Sequence, residues 1–216
     1  MKNRKAFFDT INREIYCFAD TIPLCKKLLD GGAKVIQLRD KHTDEKAFYQ
    51  KAIEMFSLVR QYDETIFIIN DRVDIAREIK ADGIHIGQED EIFHKVLARV
   101  PDYMIVGVSV DTVNQAVEAE KAGASYIGAG SVFPTSTKSD ATVIGINALC
   151  DIVKSVSIPV VAIGGITMQN IRQVMETGAR YFAMISEVNN VEDISARLKE
   201  LFEILQQGDQ TWNLTK

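Results

Sequence analysis

Short apolar runs alternate along the chain with longer stretches whose apolar residues recur every three or four positions. The runs are Ile15-Tyr16-Cys17-Phe18-Ala19, Val35-Ile36-Gln37-Leu38-Arg39, 65–70 (Thr-Ile-Phe-Ile-Ile-Asn), Gly83-Ile84-His85-Ile86 and Met104-Ile105-Val106-Gly107-Val108, followed by Tyr126–Ala129, Pro159–Ile163 and Tyr181–Ile185. Apolar runs of this length are strands buried on both faces. Between them, 44–61 carries Phe48, Ala52, Met55, Phe56 and Val59 at helical spacing with polar residues between, an amphipathic helix. Weaker helical stripes cover 21–31, ended by Gly31-Gly32, then Ile75–Ile79, 92–100, 113–122 before Gly123, 145–155, 169–176 and 192–206. Residues 1–13 are mixed and predict a short leading helix.

Eight strands alternating with eight helices imply parallel pairing, and eight such units close into a (β/α)8 TIM barrel. An open doubly wound sheet is the rival, but no G-x-G-x-x-G opens a helix after the first strand. No linker divides the chain, so the expectation is one barrel domain over 1–206 and a disordered tail over 207–216, where the period is lost.

A chain of 216 residues with 46% apolar and 25% charged positions suits a single globular domain. The net charge of −5 argues against nucleic-acid binding. It permits an anionic substrate, since local charge in a cleft decides that. No run has the roughly 20 apolar residues of a membrane helix, and the basic N-terminus meets Asp9 too soon for a signal peptide. A cytoplasmic protein is expected, and a homo-oligomer is left open. Cys17, Cys25 and Cys150 have neither C-x-x-C nor zinc spacing and are expected as reduced core thiols.

In such a barrel the carboxyl ends of the strands carry the chemistry. The second run ends Gln37-Leu38-Arg39-Asp40-Lys41, and alternation puts Gln37 and Arg39 on one face with Lys41 continuing it. Two cations at the mouth suit a polyanion such as a diphosphate; the alternative pairs them with Asp40 or Asp44. Asp71 and Asp90 follow the third and fourth runs. Beside a diphosphate they make sense as Mg²⁺ ligands; otherwise they cap helices. Ser109 ends the fifth run as a pocket hydroxyl or a cap. The loop Ser131-Val132-Phe133-Pro134-Thr135-Ser136-Thr137-Lys138 offers hydroxyls and one ammonium, a phosphate-binding set or a solvated turn. Gly164-Gly165 and Ile185-Ser186-Glu187 end the last two runs, where phosphate sites are often built. His42, His85 and His94 show no metal spacing, and His85, within a strand, reads as a hydrogen-bonded core residue. No Ser-His-Asp or Cys-His arrangement is suggested.

Taken together and in order, Gln37-Leu38-Arg39-Asp40-Lys41, Asn70-Asp71-Arg72-Val73-Asp74, 81–90 (Ala-Asp-Gly-Ile-His-Ile-Gly-Gln-Glu-Asp), Gly107-Val108-Ser109, the loop through Thr135, Thr137 and Lys138, Ala162-Ile163-Gly164-Gly165-Ile166, and Ile185-Ser186 resemble the thiamine phosphate synthase family. The resemblance covers roughly residues 15 to 190. It implies that a hydroxymethylpyrimidine diphosphate loses pyrophosphate while a thiazole phosphate takes its methylene carbon. By that resemblance Gln37, Arg39, Lys41, Asn70 and Lys138 hold the diphosphate, and Asp71 and Asp90 hold Mg²⁺. Ser109 lies by the reacting centre, and Thr135, Thr137, Gly165, Ile185 and Ser186 hold the thiazole phosphate. Catalysis falls to Arg39, Ser109 and Lys138. The partners implied are these two small-molecule substrates.

The chain departs from the family where Glu91-Ile92 and Ser131 stand in place of frequent prolines. Its first strand matches loosely, which leaves Tyr16 outside the site. The rivals are a thiazole tautomerase, which needs neither the diphosphate cations nor the metal acids, another phosphate-binding barrel such as a sugar-phosphate epimerase, and a barrel that binds thiamine phosphate without catalysis.

Overall fold

The computed structural model describes residues 6, 8, 10–87, 93–137 and 142–213, without the side chains of 208–213. Eight strands follow the predicted order: β1 (Glu14–Ala19), β2 (Val35–Leu38), β3 (Ile66–Asn70), β4 (Gly83–Ile86), β5 (Ile105–Val110), β6 (Tyr126–Ala129), β7 (Val160–Ile163) and β8 (Tyr181–Ala183). Each pairs in parallel with the next, and β8 pairs back onto β1, so the sheet is the expected closed barrel rather than an open one. Around it lie α1 (Ile22–Asp30), α2 (Glu45–Val59), α3 (Val73–Glu78), α4 (Phe93–Arg99), α5 (Val113–Ala122), α6 (Gly145–Ser155), α7 (Ile171–Met175), α8 (Ser186–Asn189) and α9 (Ile194–Asn213).

Strand alternation divides the apolar residues into two cores. Ile36, Leu38, Phe67, Ile69, Ile84 and Ile127 face outward into the layer between sheet and helices. Tyr16, Val35, Ile66, Ile68, Ile105, Tyr126 and Tyr181 fill the barrel itself. The inner core fits because small residues face large ones. A Cβ on Gly107 would lie 2.0 Å from Cζ of Tyr126, so the Tyr126 ring occupies the volume that β5 leaves free. At Gly128 a Cβ would lie 3.1 Å from Cε1 of His85.

At the amino-terminal end of the barrel, Phe8 and Ile11 pack against the start of β8. Phe8 stacks on Tyr181 with ring centroids 4.4 Å apart and leans on Tyr126 at 5.1 Å. The Tyr181 hydroxyl donates to the Phe8 carbonyl, and Arg180 Nε donates to the Ile11 carbonyl at 3.1 Å. Near this end Glu14 is buried, and its Oε1 accepts from the Ile15 amide at 2.9 Å. Burial pushes its carboxyl up to about 8, outweighing the Ile15 amide and the Lys34 charge that favour the ionised form.

Two boundaries differ from the sequence pattern. β8 stops at Ala183, because Ile185 turns to become the N-cap of α8, a four-residue helix that the apolar period does not announce. The last helix runs to Asn213, past residue 206, where its apolar stripe ends. Cys17 and Cys25 are buried free thiols; Cys150 is also free but only half-buried.

Candidate active site

At the carboxyl end of β2, Gln37 is buried and points into the barrel, where its Nε2 donates to the Tyr16 hydroxyl at 2.8 Å. Arg39 follows on the same parity, with its amide donating to the Ala19 carbonyl at 3.0 Å. Lys41 is exposed, and its Nζ lies 3.6 Å from Oδ2 of Asp71. Asp40 turns the other way. It pairs with Lys51 on α2, accepts from the Thr43 hydroxyl, and takes the His42 amide at 3.0 Å. Partial burial pushes its carboxyl up, but these bonds together hold it below the ordinary carboxylate range. Asp44 caps α2 through the Ala47 amide at 3.0 Å. The two acids that could have paired with Arg39 and Lys41 are therefore committed elsewhere.

Asn70, buried, ends β3. Asp71 then takes a left-handed backbone conformation, φ 62°, which a residue with a side chain occupies at a cost. Its amide donates to the His85 carbonyl at 2.8 Å, tying the turn to β4. The N-cap of α3 is Arg72, with no side-chain cap bond, so Asp71 is not there to cap that helix. Arg72 points back instead: Nη2 donates to the Thr43 carbonyl at 3.0 Å, and the guanidinium sits 4.7 Å above the Phe48 ring. The strained turn thus sends the acid to the rim beside Lys41 and the arginine into packing.

A continuous polar chain crosses the interior beneath this rim. The Tyr16 and Tyr126 hydroxyls are 2.8 Å apart, Tyr126 OH is 2.9 Å from Nδ1 of His85, and Nε2 of His85 is 3.1 Å from Oγ of Ser109. Burial pushes both phenols up, so they keep their protons. His85 is hydrogen-bonded as expected, but the contact with Ser109 was not foreseen, and its other nitrogen meets a phenol rather than an acid. Tyr16, set aside by the sequence reading, bonds directly to Gln37. The signal available was polar residues at inward positions of otherwise apolar strands; their mutual contacts depend on the closure of the barrel.

The loops after β6 and β7 are built against each other. Val132 N donates to the Ile163 carbonyl at 2.8 Å and Phe133 N to the Gly164 carbonyl at 3.0 Å. A Cβ on Gly164 would lie 2.0 Å from Oγ of Ser131; one on Gly165, where φ is 62°, would lie 2.5 Å from the Pro134 carbonyl oxygen. Ser131 holds the loop base without a proline ring. Its amide donates to the Thr142 carbonyl at 3.3 Å and its hydroxyl to the Phe133 carbonyl at 2.6 Å. Thr135 is half-buried and its Oγ1 accepts from the exposed Thr137 amide at 3.2 Å. Ile185 is half-buried and Ser186 exposed at the start of α8. Asp90 and Lys138 lie outside the described residues.

A family model described as thiamine monophosphate synthase matches residues 10–188. A thiamine-phosphate synthase of Pyrococcus furiosus is 44% identical over 182 residues, covering 84% of this chain and 87% of the relative. One from Ruminiclostridium cellulolyticum is 42% identical over 179 residues, covering 83% and 85%. The solved thiamine phosphate pyrophosphorylase from Pyrococcus furiosus superposes with a TM-score of 0.85 at 40% identity, over 92% of this chain and 98% of that one. With the family match running through all eight strands and relatives more than 40% identical over most of both chains, this chain belongs to the thiamine monophosphate synthase family.

Proposed function

We propose that the chain is a Mg²⁺-dependent thiamine-phosphate synthase, a transferase that joins hydroxymethylpyrimidine diphosphate to hydroxyethylthiazole phosphate and releases pyrophosphate. The observation that carries the reading is the meeting of Lys41 and Asp71 at one rim, with Gln37 and Arg39 on the inward parity of the neighbouring strand. Lys41 and Arg39 would neutralise the leaving diphosphate, and Asn70 and Gln37 would orient it. Thr135, Thr137, Gly165, Ile185 and Ser186 would hold the thiazole phosphate, Lys138 would join Arg39 and Lys41 on the diphosphate, and Ser109 would lie by the diphosphate and the reacting centre.

The residues fit a magnesium ion. Asp71 is a hard oxygen donor, half-buried and not used as a helix cap. Magnesium takes one or two carboxylates and completes its shell with phosphate oxygens and water. Asp71, with Asp90 as the second acid, would hold it, and when bound it would supply positive charge to the diphosphate oxygens.

An aminopyrimidine stabilises a cation at its methylene, so departure of pyrophosphate precedes attack by the thiazole nitrogen. The C–O bond breaks with its electron pair on pyrophosphate, and the C–N bond forms with the nitrogen lone pair. The protein needs no nucleophile, only charge complementarity and proximity. Among the described residues no helix is long and apolar enough to cross a membrane, and the reading places the enzyme in the cytoplasm with its small-molecule substrates. The test incubates the protein with both substrates and Mg²⁺, with and without a chelator, and measures thiamine phosphate and pyrophosphate. Equal amounts of both, lost on chelation, are expected; their absence with Mg²⁺ present would overturn the reading.

A further inference from the structure

The interior chain Gln37–Tyr16–Tyr126–His85–Ser109 has one feature that fixes its direction. The Gln37 Nε2 group can only donate, and it donates to Tyr16. Tyr16 is 1% exposed, and its hydroxyl bonds to Gln37 and Tyr126 alone among the described residues. If Tyr126 also donated to Tyr16, the Tyr16 proton would be buried without an acceptor, which folded proteins avoid because the donor loses its water and gains nothing in return. Tyr16 therefore donates to Tyr126. The single Tyr126 proton is then left for Nδ1 of His85, which must accept it. A proton on Nδ1 would reverse the chain and strand the one on Tyr16. The proton of His85 accordingly sits on Nε2 and is given to Oγ of Ser109.

We propose that Tyr16 and Tyr126 are positioning residues: they lock His85 as its Nε2–H tautomer, so that Ser109 accepts from the imidazole and does not spend its own proton on it. A serine that spent its proton on the imidazole could offer only lone pairs to an anion, which repel it. The glycines of β5 and β6 leave this space: a Cβ at 107 would lie 2.0 Å from Cζ of Tyr126 and displace its ring, and one at 128 would press on His85 Cε1 at 3.1 Å. The role assigned to Ser109 rests on the function proposed above; the tautomer does not.

The test uses full-length protein carrying His42→Gln and His94→Gln, so that the ¹⁵N spectrum reports His85 alone. Long-range proton–nitrogen correlation shows which ring nitrogen bears the proton. Nε2–H is expected, with loss of that single preference in Tyr126→Phe and in Tyr16→Phe. A proton on Nδ1 in the otherwise native protein would overturn the proposal and needs no variant that must fold. In turnover, Tyr126→Phe is expected to lower kcat about tenfold with KM little changed, the loss of about 1.4 kcal/mol from the transition state. In a Ser109→Ala background the same change should add almost nothing, because the hydroxyl it orients is gone. An equal fall in both backgrounds would reduce Tyr126 to a packing residue and overturn the proposal. If the native protein made no thiamine phosphate while His85 carried its proton on Nε2, the functional reading would fail and the tautomer assignment would stand.

Discussion

Glu14→Gln isolates the effect of one buried carboxyl at the closed end of the barrel. The carboxyl titrates near 4.5 in an unfolded chain and is pushed up to about 8 by burial in the native one. Between those values the folded protein holds a proton that the unfolded chain releases. Stability contributed by this group is therefore full below pH 4.5 and falls as pH rises toward 8. At about 1.4 kcal/mol per pH unit, the interval of about three and a half units corresponds to at most ~5 kcal/mol. Glutamine keeps an oxygen for the Ile15 amide at the same place and carries no charge at any pH. The assay is urea unfolding of native and Glu14→Gln protein at half-unit steps from pH 5 to 9. Every other titrating group is common to both, so the difference between the two curves belongs to residue 14. The variant should gain on the native protein by several kcal/mol between pH 5 and 8, then run level. Parallel curves over that window would refute the reasoning.

Arg39→Ala and Asp71→Ala should each lower turnover by about two orders of magnitude or more while the far-ultraviolet circular dichroism spectrum is kept; full activity in either would remove that residue from the site. Gly107→Ala forces a Cβ to 2.0 Å from Tyr126 and should cost about 1–3 kcal/mol in chemical denaturation, a penalty that disappears when Tyr126→Ala is made alongside it. A thiol reagent at pH 8 should modify Cys150 readily and Cys17 and Cys25 only on unfolding, since burial pushes Cys25 up to about 12 and Cys17 higher still; two fast thiols in the native protein would contradict the burial assigned here.

The barrel was legible because its strands are nearly continuous apolar runs and its helices interrupt them at regular intervals, a pattern with few topological solutions. The rim was legible at β2, where alternation alone separates Gln37 and Arg39 from Leu38. It was less so for charge pairing: Asp40 lies between two cations in sequence, yet the pleat turns it outward to Lys51, a residue on the next helix. The polar chain inside the barrel was not legible. Tyr16 and Tyr126 are 110 positions apart and meet only because β6 and β1 face each other across a closed sheet. Phe8 escaped for the same reason, since its partner Tyr181 lies at the far end of the chain. The short α8 escaped because four residues hold too little of a helical period to register.

The ladder joining 132–133 to 163–164 bears on how this family can diverge. One added or lost residue between Gly130 and Phe133 would slip that ladder and drive Ser131 against a turn with no room for a side chain. Length changes should therefore fall beyond Phe133 on one loop and beyond Ile166 on the other. Homologous chains should therefore align without gaps through both segments, even where the sequence between them has drifted.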